Sequence, residues 1–109
     1  MIVRYHREGR GELWAAVDRY DDENPGLGYD FHEAVLAAEA QMVSYPESGP
    51  LWPGIDPQLG VHRMVLEDPW PFALAYLIEP EQLLVLAVAH GHRNPGYWLP
   101  RLRSLHDVT

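Results

Sequence analysis

The chain has 109 residues, 47% of them hydrophobic, which suits one domain with its own core over residues 1–109. It has no cysteine, which excludes disulfides and thiolate metal sites, and no run reaches the roughly 18 apolar residues of a membrane helix. Its net charge of −8, with arginine as the sole basic residue type, argues against general binding of a phosphate backbone, which is largely electrostatic. The start, Met1-Ile2-Val3-Arg4, turns polar too early for a signal peptide, so a cytoplasmic location and no membrane contact are expected.

The charge is uneven. Residues 1–60 hold 4 Arg against 11 acids, whereas beyond position 89 Arg93, Arg101 and Arg103 face only Asp107. An acidic body therefore carries a mildly basic C-terminal end that also contains histidine.

In chain order, Ile2 to Tyr5 reads as a short strand. Glu8 to Glu23 reads as a helix with Leu13, Trp14, Val17 and Tyr20 on one face. Glu12, Asp18, Asp21, Asp22 and Glu23 read as a solvated acidic face, with mimicry of nucleic acid or reception of a basic partner as the alternatives. Asn24-Pro25-Gly26 stops the helix. A second helix follows from Leu27 to Tyr45, with Leu27, Phe31, Val35, Ala38, Met42 and Tyr45 at helical spacing. From Pro46 to Gly60, four prolines and three glycines mark an irregular loop pinned by Leu51, Trp52 and Ile55. Trp52 could also help to hold a partner segment.

Val61 to Glu67 and Phe72 to Ile78 read as strands, and Glu79-Pro80-Glu81-Gln82 as a hairpin turn. Leu83 to Ala89 is apolar on both faces, as a central covered strand is. Pro95 opens a last helix near Gly96 to Leu105, shortened or kinked by Pro100. The expected fold is α+β in the order βααβββ: a helical hairpin on a small, mostly antiparallel four-stranded sheet, with a short C-terminal helix. Leu13, Trp14, Val17, Phe31, Val35, Ala38 and Met42 should pack on Leu84, Leu86 and Val88, or on the neighbours of opposite phase.

Four local signatures in this order resemble the RelE/ParE superfamily of bacterial type II toxins. They are the opening strand ending Tyr5-His6, the junction Pro25-Gly26-Leu27-Gly28 with Phe31, the pair Val61-His62-Arg63 and Pro71-Phe72 with Ala75-Tyr76, and the ending Val85 to His90 with Arg93, Pro95, Tyr97-Trp98 and Arg101. The resemblance implies a growth inhibitor from a two-gene module, neutralised by a cognate antitoxin, with a non-toxic relative that retains only antitoxin binding as an alternative. RelE-like members cut mRNA on the ribosome; ParE-like members inhibit DNA gyrase. The junction and the ending are closer to the ParE-like side. RNA-cutting relatives are basic and use lysine and arginine around the scissile phosphate, so the acidity and missing lysine of this chain weigh against cleavage.

Arg63, His90, His92, Arg93 and Tyr97 form the candidate chemistry. RNA cleavage needs a base, an acid and positive charge on the phosphate, and these residue types can supply them. The catalytic assignment Arg63, His90, Arg93 and Tyr97 applies only to an mRNA endonuclease. The competing readings are a non-catalytic binding surface and plain structure, with Arg63 paired to a carboxylate and His90 ending its strand. His90 and His92 share a face if the strand continues, but nothing supplies a third metal ligand. No cofactor is expected. Trp98 reads as the anchor of the tail on the sheet; the Tyr97 hydroxyl is free to stay wet.

Overall fold

The first strand, β1 (Ile2–Tyr5), ends where His6 begins to serve as a helix cap. The computed structural model describes residues 1–109. His6 Nδ1 accepts the Glu8 N–H, one of the donors that a helix start leaves unpaired. The buried imidazole therefore carries its proton on Nε2, which donates to Ser104 Oγ at 3.0 Å. Helix α1 (Arg7–Glu23) follows, and Asn24-Pro25-Gly26 turns the chain, Gly26 at φ 93° where a side chain would be strained. Helix α2 (Leu27–Ser44) returns alongside. At the crossing, Asp21 Oδ1 accepts the Gly28 N–H at 2.8 Å. A side chain at Gly28 would meet the Val17 carbonyl and Asp21, so the close approach needs glycine.

β2 (His62–Val65), β3 (Phe72–Ile78) and β4 (Gln82–His90) complete a sheet in the order β1-β4-β3-β2. β1 runs parallel to β4, and the other two pairings are antiparallel. β4 is buried from Leu83 to Ala89, as its apolar run requires. Its register shifts midway: Tyr76 faces Val85 while Ala75 faces Ala87, so Leu86 is an extra residue.

That bulge decides which side chains meet the helices. Leu13, Ala16, Phe31, Val35, Ala38 and Met42 of the hairpin share a core with Leu83, Val85 and Val88. Leu84, Leu86 and Ala87 belong to a second core on the other face, with Val61, Ala75 and Trp98. Neither phase of β4 serves the helices throughout, because the phase changes at Leu86. The second face is closed by Trp52, Ile55 and the C-terminal tail, whose 3-10 helix (Leu99–Ser104) brings in Leu99 and Leu102. The tail ends beside His6, with Arg7 N–H donating to the Asp107 carbonyl and Thr109 N–H to that of Tyr5.

The expected α+β layout is present, with local corrections. Trp14 is 44% exposed, edge-on to His32, and small Ala16 takes its place against the sheet. Tyr45 lies past the end of α2 and is 70% exposed. The last helix is only the six-residue 3-10 segment, with Pro100 in its first turn. No helix is long and apolar enough to cross a membrane.

Candidate functional site

β4 ends at His90, and backbone bonds fold the next residues back. Gly91 N–H donates to the Pro71 carbonyl, Arg93 N–H to that of His90, and Tyr97 N–H to that of Asn94. Gly96 at φ 81° reverses the chain into the tail. These turns bring His90, Arg93 and Tyr97 together with Arg63 of β2 around one cavity of about 280 Å³. The four residues of the endonuclease assignment thus share one site, whereas His92, the fifth residue of the cluster, does not line it. Its walls include Trp52, Trp70, Phe72 and Trp98.

The four residues are held differently. Arg63 stands over Trp52, its guanidinium carbon 5.7 Å from a Trp52 ring centroid. No carboxylate reaches it within 4.0 Å, and its buried Nε has no partner, so the ion pair of the purely structural reading is absent. His90 Nδ1 accepts the His92 N–H at 3.0 Å. Burial, helped by His92 and Arg19, keeps the His90 pKa below the ordinary imidazole range. Arg93 lies 3.7 Å above the centre of the Tyr97 ring, a cation–π contact, and 4.0 Å from Glu12. The Tyr97 hydroxyl donates to Glu12 Oε2 at 2.8 Å. Burial first, then this bond to a carboxylate, raises the Tyr97 pKa far above the ordinary phenol range.

Glu12 is the hub beside the cavity, and the sequence places it on a solvated face. Its carboxylate is gripped at both oxygens by the Arg101 fork, each bond 2.9 Å, and accepts the Val88 N–H at 3.1 Å. Arg101 also donates to the Leu86 carbonyl at 2.8 Å. Burial opposes the charge on Arg101, and Glu12 outweighs it. The arrangement has a topological cause. β1 pairs with β4 only as far as Val85, so the bulged Leu86 carbonyl and the Val88 N–H face no strand. Glu12 of α1 and Arg101 of the tail supply the missing partners. Gly9 makes this possible, since a Cβ there would sit 2.9 Å from the Leu86 carbonyl oxygen.

Local sequence carries only a faint sign of this pair: Arg101 interrupts an apolar tail segment, and Glu12 precedes the buried Leu13. His6 gives no such sign. Asp21, also read as solvated, bonds the start of α2. Trp98 is fully buried as the tail anchor, edge-on to Trp52 with centroids 5.3 Å apart, but its indole Nε1 has no partner. The His90 and His92 rings lie 4.8 Å apart, and no three His, Cys, Asp or Glu side chains converge as metal ligands would.

No family model and no curated protein matches the chain. Among solved structures, a chain described as "Chromosomal ParDE TA system from P. aeruginosa" is similar, with a TM-score of 0.68 and 19% identity over 83% of this chain and 95% of that one. At this identity the likeness establishes a shared fold, a helical hairpin on a four-stranded sheet.

Proposed function

We propose that this chain is the toxin-family component of a type II toxin–antitoxin module, held inactive by a cognate antitoxin and acting through protein contacts on DNA gyrase. The observation that carries the module assignment is the fold shared with a ParDE chain over 83% of the sequence. Two features support protein contacts over RNA cleavage. The net charge is −8, which disfavours a ribosomal RNA surface. Glu12 also ties up the Tyr97 hydroxyl, and the upward push on its pKa makes it a weaker proton donor near neutrality.

The test begins with the product of the adjacent gene. Co-expression should yield a complex with a higher melting temperature, because the antitoxin binds only the folded toxin. The free chain should then inhibit gyrase supercoiling. Substitutions that relieve inhibition should cluster in one exposed patch between Arg93 and Arg103. A neighbour that does not bind by calorimetry removes the module, and undisturbed gyrase removes the target.

A second reading, a ribosome-dependent mRNA endonuclease, is favoured by the convergence of Arg63, His90, Arg93 and Tyr97 on one cavity. It requires Arg63→Ala and Arg93→Ala each to lower cleavage by about 100-fold or more while antitoxin binding persists. Cleavage of ribosome-bound mRNA in a purified translation system, lost in Arg63→Ala, would replace the first reading with this one.

A further inference from the structure

His90 ends β4 on the wall between two hollows. One is the cavity described above; the other is a cleft of about 490 Å³ between α1 and the ends of β3 and β4. His90, Arg93 and Phe72 line both. Three hydrogen bonds fix the turn that follows. Two are backbone bonds, from Gly91 N–H to the Pro71 carbonyl and from Arg93 N–H to that of His90. The third uses a titratable group, His90 Nδ1, which accepts the His92 N–H at 3.0 Å. An imidazole nitrogen accepts only while it carries no proton. This bond therefore requires neutral His90 with its hydrogen on Nε2. On protonation Nδ1 becomes a donor, and two N–H groups face each other.

The surroundings oppose a charge on His90 as well. The His92 ring lies 4.8 Å away, and Arg93 follows on the same turn. From α1, Arg19 lines the cleft with Glu12 and Glu23, and Arg63 of β2 lines the cavity on the other side. β3 presents the uncharged Phe72 ring, edge-on at 5.0 Å. Glu12 is taken by the Arg101 fork, which leaves Glu23 as the one uncommitted carboxylate against three arginines. Burial, then His92 and Arg19, hold the His90 pKa below the ordinary imidazole range.

We propose that His90 is a pH-operated latch on this turn. Neutral, it holds the turn that sets Arg93 over the Tyr97 ring; protonated, it releases the turn and Arg93 leaves the ring. Imidazole ordinarily titrates near pH 6.5, and here lower, so the latch is closed at neutral pH and opens in mild acid. Arg93 and Tyr97 both line the cavity, so opening reshapes its wall. The latch is built into the chain alone, and it stands or falls apart from the toxin reading.

The test is an NMR titration of the full chain from about pH 8 to about pH 4.5. It follows the imidazole nitrogens of the six histidines, the amides of Gly91 to Asn94, and the Arg93 Hδ protons, which the Tyr97 ring current should shift upfield. At neutral pH His90 should be the Nε2–H tautomer. Its midpoint should lie below about 6.5, and the His92 amide and Arg93 Hδ signals should move with that same midpoint. His90→Asn, whose side-chain oxygen can accept in place of Nδ1 at any pH, should keep the Arg93 signals upfield throughout. His90→Leu has no acceptor and should give, at neutral pH, the Arg93 signals that the native chain reaches only in acid. Arg19→Gln should raise the His90 midpoint and leave the turn coupled to it. An Nδ1–H tautomer, a midpoint at or above about 6.5, no His90 titration above about pH 4.5, Arg93 signals that do not follow His90, or an undiminished pH response in His90→Asn would each overturn the assignment.

Discussion

Arg101 and Arg63 are both drawn toward the interior, and what surrounds them differs completely. Arg101 meets both oxygens of Glu12 and the Leu86 carbonyl, and none of its buried N–H groups is left without a partner. Arg63 meets an aromatic ring and open cavity, with its Nε unanswered. The first arrangement closes the chain on itself: it repairs the strand edge that β1 leaves bare and straps the tail to α1. The second leaves a charge beside the cavity and a buried N–H without a partner. The difference teaches where fold and function divide. A polar group whose partners all come from the chain is part of the architecture, and one left without them is available to something else.

The comparison can be broken most directly at Glu12. Glu12→Ala strands the Arg101 charge, the Tyr97 hydroxyl and the Val88 N–H, and should lower stability by about 3–5 kcal/mol in urea unfolding. Replacing Glu12 and Arg101 together by leucine should recover most of that loss, since an apolar pair leaves no charge uncompensated. A loss below about 1 kcal/mol for Glu12→Ala would mean that Arg101 is no better held than Arg63.

Gly9→Ala comes next. It pushes a methyl group against the Leu86 carbonyl and should cost about 1–3 kcal/mol, with amide exchange quickening at Val88.

An alkaline titration sharpens the same contrast. Tyr97 donates to Glu12 and Tyr5 to Glu39, and both phenols are raised above their ordinary value, burial being the main cause. Their contribution is intact below about pH 10, the ordinary tyrosine pKa, and falls as pH rises past it because the unfolded state releases these protons first. Urea midpoints should therefore drop above that pH, and Tyr97→Phe should flatten the drop while costing about 1 kcal/mol at neutrality. The smallest effect is expected at Arg63, where Arg63→Gln should change stability by less than about 0.5 kcal/mol. A large loss there would make Arg63 a structural residue after all.

What the sequence conveyed follows the range of the forces involved. Helix α2 and strand β4 were legible because periodicity and an apolar run are local, as was the break at Asn24-Pro25-Gly26. The gathering of Arg63 with His90, Arg93 and Tyr97 was foreseen through family likeness and residue type. Glu12 was misread because its partner lies 89 residues away and nothing near it departs from an ordinary polar face. Trp14 was misread because Leu13, Ala16, Val17 and Tyr20 fill the side of α1 that faces the core, and Trp14 falls outside that stripe. The bulge at Leu86 leaves no trace in an unbroken apolar run, yet it assigns every later side chain of β4 to its face.

The parallel seam between β1 and β4 has a consequence for assembly on the ribosome and in refolding. Ile2 pairs with Gln82, so the first strand to emerge has no partner until the fourth is made. The α1–α2 hairpin, in contrast, is built from contacts local in sequence and can form while synthesis continues. Closing a seam between such distant segments is entropically slow, and contacts of this kind lower folding rates. Until that seam closes, the edge of β4 and the apolar side of the hairpin are open to intermolecular pairing. Refolding should therefore pass through a hairpin-first species, with protection at Tyr5 and Val85 arriving last in pulse-labelled hydrogen exchange.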